Sequence, residues 1–173
     1  MKKVLIALAA GAVVATSFNA SAADGTINFT GSVSSQTCTI DGNTGTTSKT
    51  VTMPKVSASS LATAGQTAGR TGFTLALTGC TGATALTRFE QGSSVDVATG
   101  NLINQTAGGS NAQIQLLNAS FAPINLQTNA GSLESAITTN AATLQFYAQY
   151  VAANAAATAG AVTSNVQFSM DYN

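Results

Sequence analysis

The C-terminal segment of the chain, residues 160–173, alternates between apolar and polar positions. The apolar residues share one parity and are Val162, Val166, Phe168, Met170 and Tyr172. Successive side chains of a β-strand point to opposite faces of a sheet. The alternation therefore predicts a half-buried strand that ends the chain.

A second alternating segment lies near the N-terminus. Its odd positions carry Ile27, Phe29, Gly31 and Val33. The next core-type residues, Cys38 and Ile40, fall on even positions, and one strand cannot bury both parities on the same face. We therefore interpret residues 24–33 as a detachable strand that precedes a first domain strand near residues 33–40. A β-bulge within one continuous strand is the alternative interpretation.

Short strands are also predicted along the interior of the chain. They cover residues 50–56, 72–77, 86–90, 112–117, 121–126 and 144–151. Pro123 weakens the prediction for 121–126, because proline cannot donate a ladder hydrogen bond. Stretches rich in Gly, Ser, Thr and Asn separate these strands, which indicates a β-sandwich or barrel. The alanine-rich segment 152–161 is predicted to be a connecting loop with at most one helical turn.

The first 22 residues have the three-part layout of a secretory signal peptide. Lys2 and Lys3 precede an apolar run over residues 4–15, and Ala20-Ser21-Ala22 supplies small residues at a cleavage site. A membrane anchor is disfavoured, because the apolar run is shorter than the roughly 20 residues of a spanning helix. We therefore expect residues 1–22 to be removed on export. The remaining chain is long enough for one domain with a single core.

Composition narrows the functional classes further. Charged residues make up 7% of the chain, and six acidic side chains outnumber the four basic ones beyond the signal peptide. Nothing in that balance suggests nucleic acid or anionic lipid as a partner. The chain has no histidine, so the histidine-dependent nucleophile arrangements are excluded and no metal site or cofactor is expected. We expect the protein not to be an enzyme. The cysteine pair of an exported chain, Cys38 and Cys80, predicts one disulfide.

Several motifs together resemble the pilin subunits of chaperone-usher fimbriae, of the type 1 major-subunit kind. Gly160 and Tyr172 match the family's glycine fourteen residues from the end and its penultimate tyrosine. Residues 73–80, Phe-Thr-Leu-Ala-Leu-Thr-Gly-Cys, resemble the strand that leads into its second cysteine. Residues 144–150 are similar to its aromatic strand, and the Ile27 to Val33 series matches its N-terminal donor segment.

The resemblance implies an all-β, incomplete immunoglobulin-like sandwich that lacks its last strand and is completed in trans by donor-strand complementation. It divides the chain into a signal peptide (1–22), a donor-strand extension (23–33) and a pilin domain (34–173). Ile27, Phe29, Gly31 and Val33 would form the donor strand. The groove and the strand that pairs with a chaperone would be formed by Gly160, Val162, Val166, Phe168, Met170 and Tyr172.

The same resemblance implies where the protein acts and with what. The expected partners are other pilin subunits, a periplasmic chaperone and an outer-membrane usher, and the expected location is a fimbria on the bacterial surface that is used in adhesion. The mature chain is not expected to insert into a membrane. Two alternatives stay open: a minor adaptor or tip pilin that binds carbohydrate, and a complete sandwich in which Phe168, Met170 and Tyr172 are ordinary core residues.

Overall fold

A computed structural model describes residues 27–30 and 38–173 of the chain. Residues 27–30 belong to an N-terminal unit that ends at Ser34, and they form no regular secondary structure. The second unit starts at Ser35. Its strands are β1 (Thr39–Ile40), β2 (Thr67–Thr78), β3 (Thr84–Phe89), β4 (Gln113–Leu117), β5 (Pro123–Ile124), β6 (Glu134–Ala136), β7 (Ala141–Val151) and β8 (Phe168–Tyr172).

These strands form two antiparallel sheets. The larger sheet has the order β1-β2-β7-β4-β5, and the smaller has the order β6-β3-β8. The ladder between β2 and β7 is the longest, with Phe73 opposite Phe146 and Leu75 opposite Leu144. The second unit is therefore an all-β structure of two sheets, and its only helical element among the described residues is the 3-10 turn Ala58–Leu61.

The core lies between the two sheets and is formed largely by alternate residues of the strands. Leu75 and Leu77 of β2 and Leu144 and Phe146 of β7 are buried on the inner face. The ring of Phe146 lies 5.6 Å from that of Phe89 in the smaller sheet, in edge-on geometry. Alternation in these strands therefore predicted both their existence and the face that each one buries.

The sequence located most of the strands but not all of their lengths. The predicted strands 72–77, 86–90, 112–117 and 144–151 correspond to β2, β3, β4 and β7. Strand β2 begins five residues earlier than its apolar pattern indicated, because β7 supplies ladder partners for the polar residues from Thr67 onward. Strand β6 was not predicted. The short β5 begins at Pro123, the position at the start of an edge strand that proline tolerates.

Two predicted strands are largely unpaired in the structure. Residues 50–56 belong to no ladder, and only Phe168–Tyr172 of the predicted strand 160–173 pairs as a strand. The predicted first domain strand near 33–40 is seen only as Thr39–Ile40, because residues 33–37 lie outside the described part of the chain. The alanine-rich segment 152–161 contains no helix, as predicted.

Candidate functional site

The last strand lies at an open edge of the smaller sheet. Strand β8 pairs with β3 on one side and has no ladder partner on its other side among the described strands. Before β8, the backbone carbonyl groups of Ala161, Thr163 and Gln167 accept hydrogen bonds from the body of the protein. The main-chain groups of Val162, Ser164 and Val166 make no backbone hydrogen bond within the described residues. Because alternate residues of a strand direct these groups to opposite edges, a row of free donors and acceptors borders the open side.

The side chains of this segment follow the predicted alternation. The even-numbered residues are half-buried against the core, and the odd-numbered residues 161–169 are exposed. The half-buried apolar residues that pack on the core are Val166, Phe168, Met170 and Tyr172, and Val162 packs on a smaller cluster around Leu61. We call residues 162–172 the second wall of the groove described next.

A facing segment, residues 45–56, forms the first wall. It has no regular secondary structure, and its backbone makes no backbone hydrogen bond within the described residues. Tyr172 and Cys38 meet at one end of the groove, while Val56 and Val162 share an apolar cluster at the other. The first wall therefore runs antiparallel to the second, and both walls present unpaired main chain.

Between the two walls lies an apolar groove with two cavities. The larger cavity has a volume of about 720 Å³ and reaches down to Phe73, Leu75, Ile114 and Leu116 of the larger sheet. The smaller has a volume of about 600 Å³ and is lined by both walls and by Leu61, Ala112 and Tyr150. Residues of the larger sheet thus form the floor, in which Phe73 and Ile114 are half-buried and Leu75 and Leu116 are buried.

The predicted disulfide is present at one end of the groove. Cys38 and Cys80 are joined with their Cα atoms 4.4 Å apart, and Cys80 is buried. Asn140 holds the loop around Cys80, because its side chain donates to the Cys80 carbonyl at 2.9 Å. Burial of the Tyr172 phenol raises its pKa, against the opposing effect of a backbone hydrogen bond of Cys38. The disulfide therefore ties the segment that leads into the first wall to the residues that follow β2.

Asp41 and Lys49 secure the start of the first wall. The Lys49 ammonium lies 3.1 Å from the Asp41 carboxylate, and that carboxylate also accepts a hydrogen bond from the Ala76 backbone at 3.0 Å. Partial burial alone would raise the pKa of Asp41, but the Ala76 and Lys49 hydrogen bonds outweigh it and hold that pKa below its ordinary value. Sequence reasoning missed this pair, because no short motif links the two residues.

Gly160 lines the smaller cavity and also permits a close backbone crossing. Its Cα lies against the backbone of Gly109 and Ser110, and the Ser110 amide donates to the Ala161 carbonyl at 3.1 Å. Asn104 reinforces the crossing, since its side chain donates to Ala161 and accepts from Thr163. The glycine expected from the sequence to belong to the groove strand therefore also ties that strand to a neighbouring loop.

Replacement of Gly160 with alanine is expected to lower the unfolding free energy. A Cβ at this position would lie 2.5 Å from the Ser110 nitrogen and 2.7 Å from the Gly109 carbonyl carbon, so the two backbones must separate at a cost of about 1–3 kcal/mol. Denaturant unfolding of the purified variant measures the loss. Gly92→Ala is the matched control, because its Cβ would have no neighbour closer than 3.9 Å. Equal midpoints for the two variants would contradict the steric account.

The N-terminal residues that the sequence assigned to a donor strand are only partly described. Ile27 is 80% exposed and Phe29 is 91% exposed, which is unusual for large apolar side chains. Gly31 and Val33 lie outside the described residues. Their role in a donor strand therefore stays a prediction.

Acidic side chains of the described residues accept hydrogen bonds from local partners. Asp96 accepts hydrogen bonds from the Ala98 backbone and the Gln113 amide, and these lower its pKa. Glu90 accepts from Ser169 at 2.6 Å. Within residues 27–30 and 38–173 no group of three or more His, Cys, Asp or Glu residues could hold a metal ion. The groove is lined largely by apolar side chains and is bordered by the open edge of the smaller sheet.

Comparison with known proteins identifies the family to which this chain belongs. The family model of the type-1 fimbrial protein (FimA) matches residues 53–173. The chain belongs to the type-1 fimbrial protein family. This fimbrial protein is 44% identical over 164 residues to the major fimbrial subunit SMF-1 of Stenotrophomonas maltophilia, a match that covers 89% of this chain and 95% of the relative.

Two solved structures support the fold of the fimbrial protein. It is 34% identical to a type I fimbria protein and antigen of Burkholderia pseudomallei, with a TM-score of 0.56 over 78% of this chain and 88% of the other. A chain in the structure of a chaperone-usher pilus gives a TM-score of 0.62 at 18% identity and covers 87% of this chain and 96% of the other. The fold is therefore immunoglobulin-like, as expected from the sequence.

The comparisons also bear on function. The relatives described above are a major fimbrial subunit, a type I fimbria protein and a chain of a chaperone-usher pilus, so the fimbrial protein is a structural pilin, and the interpretation as a carbohydrate-binding adaptor or tip subunit is not favoured. The family is one of structural subunits and not an enzyme family. Among the described residues, no helix is both long and apolar enough to cross a membrane.

Proposed function

We propose that this pilin polymerises by strand addition, with the groove of one copy receiving residues 23–33 of another. We call residues 23–33 the donor segment. The observation that carries the proposal is the apolar groove between the first wall, which makes no backbone hydrogen bond within the described residues, and the open edge of the second wall. Ile27 and Phe29 are exposed, large apolar side chains, and insertion into the groove of another copy would bury them. Addition of a strand to such an edge satisfies main-chain hydrogen bonds and fills side-chain pockets together.

The energy of the joint is sufficient for a durable fibre. Burial of Ile27, Phe29 and Val33 contributes roughly 1.5–3 kcal/mol for each side chain. Hydrogen bonds to both walls contribute about 0.5–1.5 kcal/mol each, before the cost of ordering the segment is subtracted. Gly31 would allow a close backbone approach in the middle of the joint.

The open groove also accounts for the proposed assembly route. An exposed apolar edge promotes aggregation, so the groove must be occupied from synthesis onward. We infer that residues 1–22 direct export and are removed, that a periplasmic chaperone covers the groove of the domain 34–173, and that an outer-membrane usher replaces the chaperone with the next donor segment. The product is a surface fimbria used in adhesion.

Other activities are not part of the proposal. The described residues contain no group of three or more His, Cys, Asp or Glu residues that could hold a metal ion, and the chain lacks histidine. We therefore propose no catalytic activity, no cofactor and no nucleic-acid partner, and no membrane insertion of the mature chain.

The experiment that tests polymerisation is electrophoresis of sheared surface material in denaturing detergent, with and without boiling. We expect a ladder of subunit multiples in the unboiled sample, because the joints are long-lived, and a single band after boiling. Treatment with a reductant should leave the unboiled ladder connected, because the one disulfide links residues of the same chain. A single band in unboiled material would contradict polymerisation through strand addition.

A further inference from the structure

Two methionines border the groove, one in each wall. Besides Met1 of the expected signal peptide, the chain contains only Met53 and Met170. Met53 belongs to the first wall and Met170 to the second, and both side chains are half-buried and pack on the core. Every thioether beyond residue 22 therefore lies at the surface that is proposed to receive the donor segment.

The two thioethers differ in their access to solvent. Met53 lines both cavities, whose volumes are about 720 and 600 Å³, and a single water molecule occupies only about 30 Å³. Met170 lines neither of these cavities, and its sulfur accepts a hydrogen bond at 3.4 Å from the hydroxyl of Thr87, which is 1% exposed. A small oxidant dissolved in water can therefore reach Met53 more readily than Met170.

We propose that Met53 is an oxidation site, at which conversion of the thioether to a sulfoxide prevents the groove from receiving the donor segment. This inference rests on the proposed function. The oxidant is hydrogen peroxide. A lone pair of the sulfur attacks one peroxide oxygen, an S–O bond forms as the O–O bond breaks, and the other oxygen leaves as water. The sulfur loses two electrons, and the peroxide gains them.

The sulfoxide differs from the thioether in polarity. It carries a strongly polar oxygen on what was a flexible, apolar side chain. Beside Met53, the larger cavity is lined by Val51, Phe73 and Leu75, whose side chains have no hydrogen-bond donor. A donor segment that covers the groove would bury the sulfoxide oxygen among such side chains, and burial of a polar group without a partner is unfavourable. We therefore expect oxidation to weaken strand addition more than it weakens the fold.

Occupancy of the groove determines when Met53 can be oxidised. In a free subunit, Met53 faces both cavities of the open groove. In a fibre, the donor segment of another copy fills the groove and excludes the oxidant. Oxidation therefore withdraws free subunits from polymerisation and leaves assembled subunits intact. The change is reversible, because methionine sulfoxide reductases restore the thioether.

The accessibility of Met53 is tested by oxidising free subunits and fibres in parallel. Subunits of the Phe29→Asp variant serve as the free form, because the added carboxylate keeps the donor segment out of an apolar groove. Both samples are treated with dilute hydrogen peroxide, and mass spectrometry of their peptides gives the sulfoxide fraction at Met53 and at Met170.

In the free subunits we expect Met53 to oxidise several times faster than Met170. In fibres of the unmodified chain we expect the rate at Met53 to fall about tenfold, because exposure governs susceptibility to oxidation. Equal rates at the two methionines of the free subunit would overturn the proposal. An equal rate at Met53 in subunits and in fibres would also overturn it.

The consequence for strand addition is tested with a synthetic peptide of residues 23–33. Its affinity for Phe29→Asp subunits is measured by calorimetry before and after treatment with peroxide. We expect oxidation to weaken binding about tenfold, which is the effect of one buried polar group without a partner. Subsequent treatment with methionine sulfoxide reductase should restore the affinity. Unchanged binding by oxidised subunits would show that the sulfoxide does not block the groove.

Met53→Leu, added to the Phe29→Asp variant, is the control for oxidation elsewhere in the subunit. Leucine has a similar volume and no sulfur, and each sample is compared only with itself before treatment, so a change in initial affinity cancels. We expect peroxide to leave the affinity of these subunits unchanged. A loss of binding would assign the effect to Met170 or to other damage and would overturn the proposal. If untreated Phe29→Asp subunits do not bind the peptide, the proposed function fails, and this inference fails with it.

Discussion

Replacement of Phe29 with aspartate is expected to abolish fibre growth. The substitution removes about 1.5–3 kcal/mol of apolar burial and places a carboxylate in an apolar groove, where desolvation costs several kcal/mol more. In the structure Phe29 is 91% exposed, so the folded domain of the variant should be unaffected. Electron microscopy of the cell surface, together with the unboiled gel ladder, measures the loss.

Asn28→Asp is the matched control for this variant. It introduces the same charge one residue away, on the outward face of the donor segment, where water remains available. We expect fibres of the Asn28→Asp variant to form normally. Normal fibres from Phe29→Asp would show that Phe29 does not enter the groove. Loss of fibres from both variants would indicate that any added acid in the segment blocks export or assembly.

The second large effect is expected from removal of the disulfide. Replacing both Cys38 and Cys80 with serine should lower the unfolding free energy by about 2–5 kcal/mol. The bond closes a loop with a sequence separation of 42 residues. Strand β1 contributes only the two pairs Thr39–Thr78 and Ile40–Leu77 to the larger sheet, so we expect the disulfide to supply much of the attachment of the segment that leads into the first wall.

Thermal unfolding of the purified variant and the yield of surface fibres measure this effect. The unmodified protein after chemical reduction is the matched control, because it breaks the same bond without changing the sequence. We expect both samples to melt at similar, lower temperatures and the variant to yield few fibres. A melting temperature unchanged from that of the oxidised protein would show that ladder pairing alone holds the first wall.

The strands that the sequence predicted best are those with partners inside the chain. Residues 72–77 and 144–151 alternate clearly, and they pair with each other as parts of β2 and β7. Residues 50–56 have a similar composition but form no ladder. Local pattern reports which face of a segment is apolar, whereas pairing depends on whether a neighbouring edge exists.

At the candidate site, too, the local pattern predicted the apolar face, and the fold decided which residues come together. Alternation placed Val166, Phe168 and Met170 on one face, and the structure packs all three on the core. The Asp41–Lys49 pair and the Gly109–Gly160 crossing were not foreseen, because each joins residues that only the fold brings together.

The sequence by itself determined that this pilin is built from strands, which face of each strand is apolar, and that its two cysteines would pair. These properties depend on residue type and on spacing of two along the chain. Only the tertiary structure decided that residues 45–56 and 162–172 stand apart over an open floor of core side chains. The reason is that a groove forms where no strand lies beside an edge, and this depends on how all the strands are arranged.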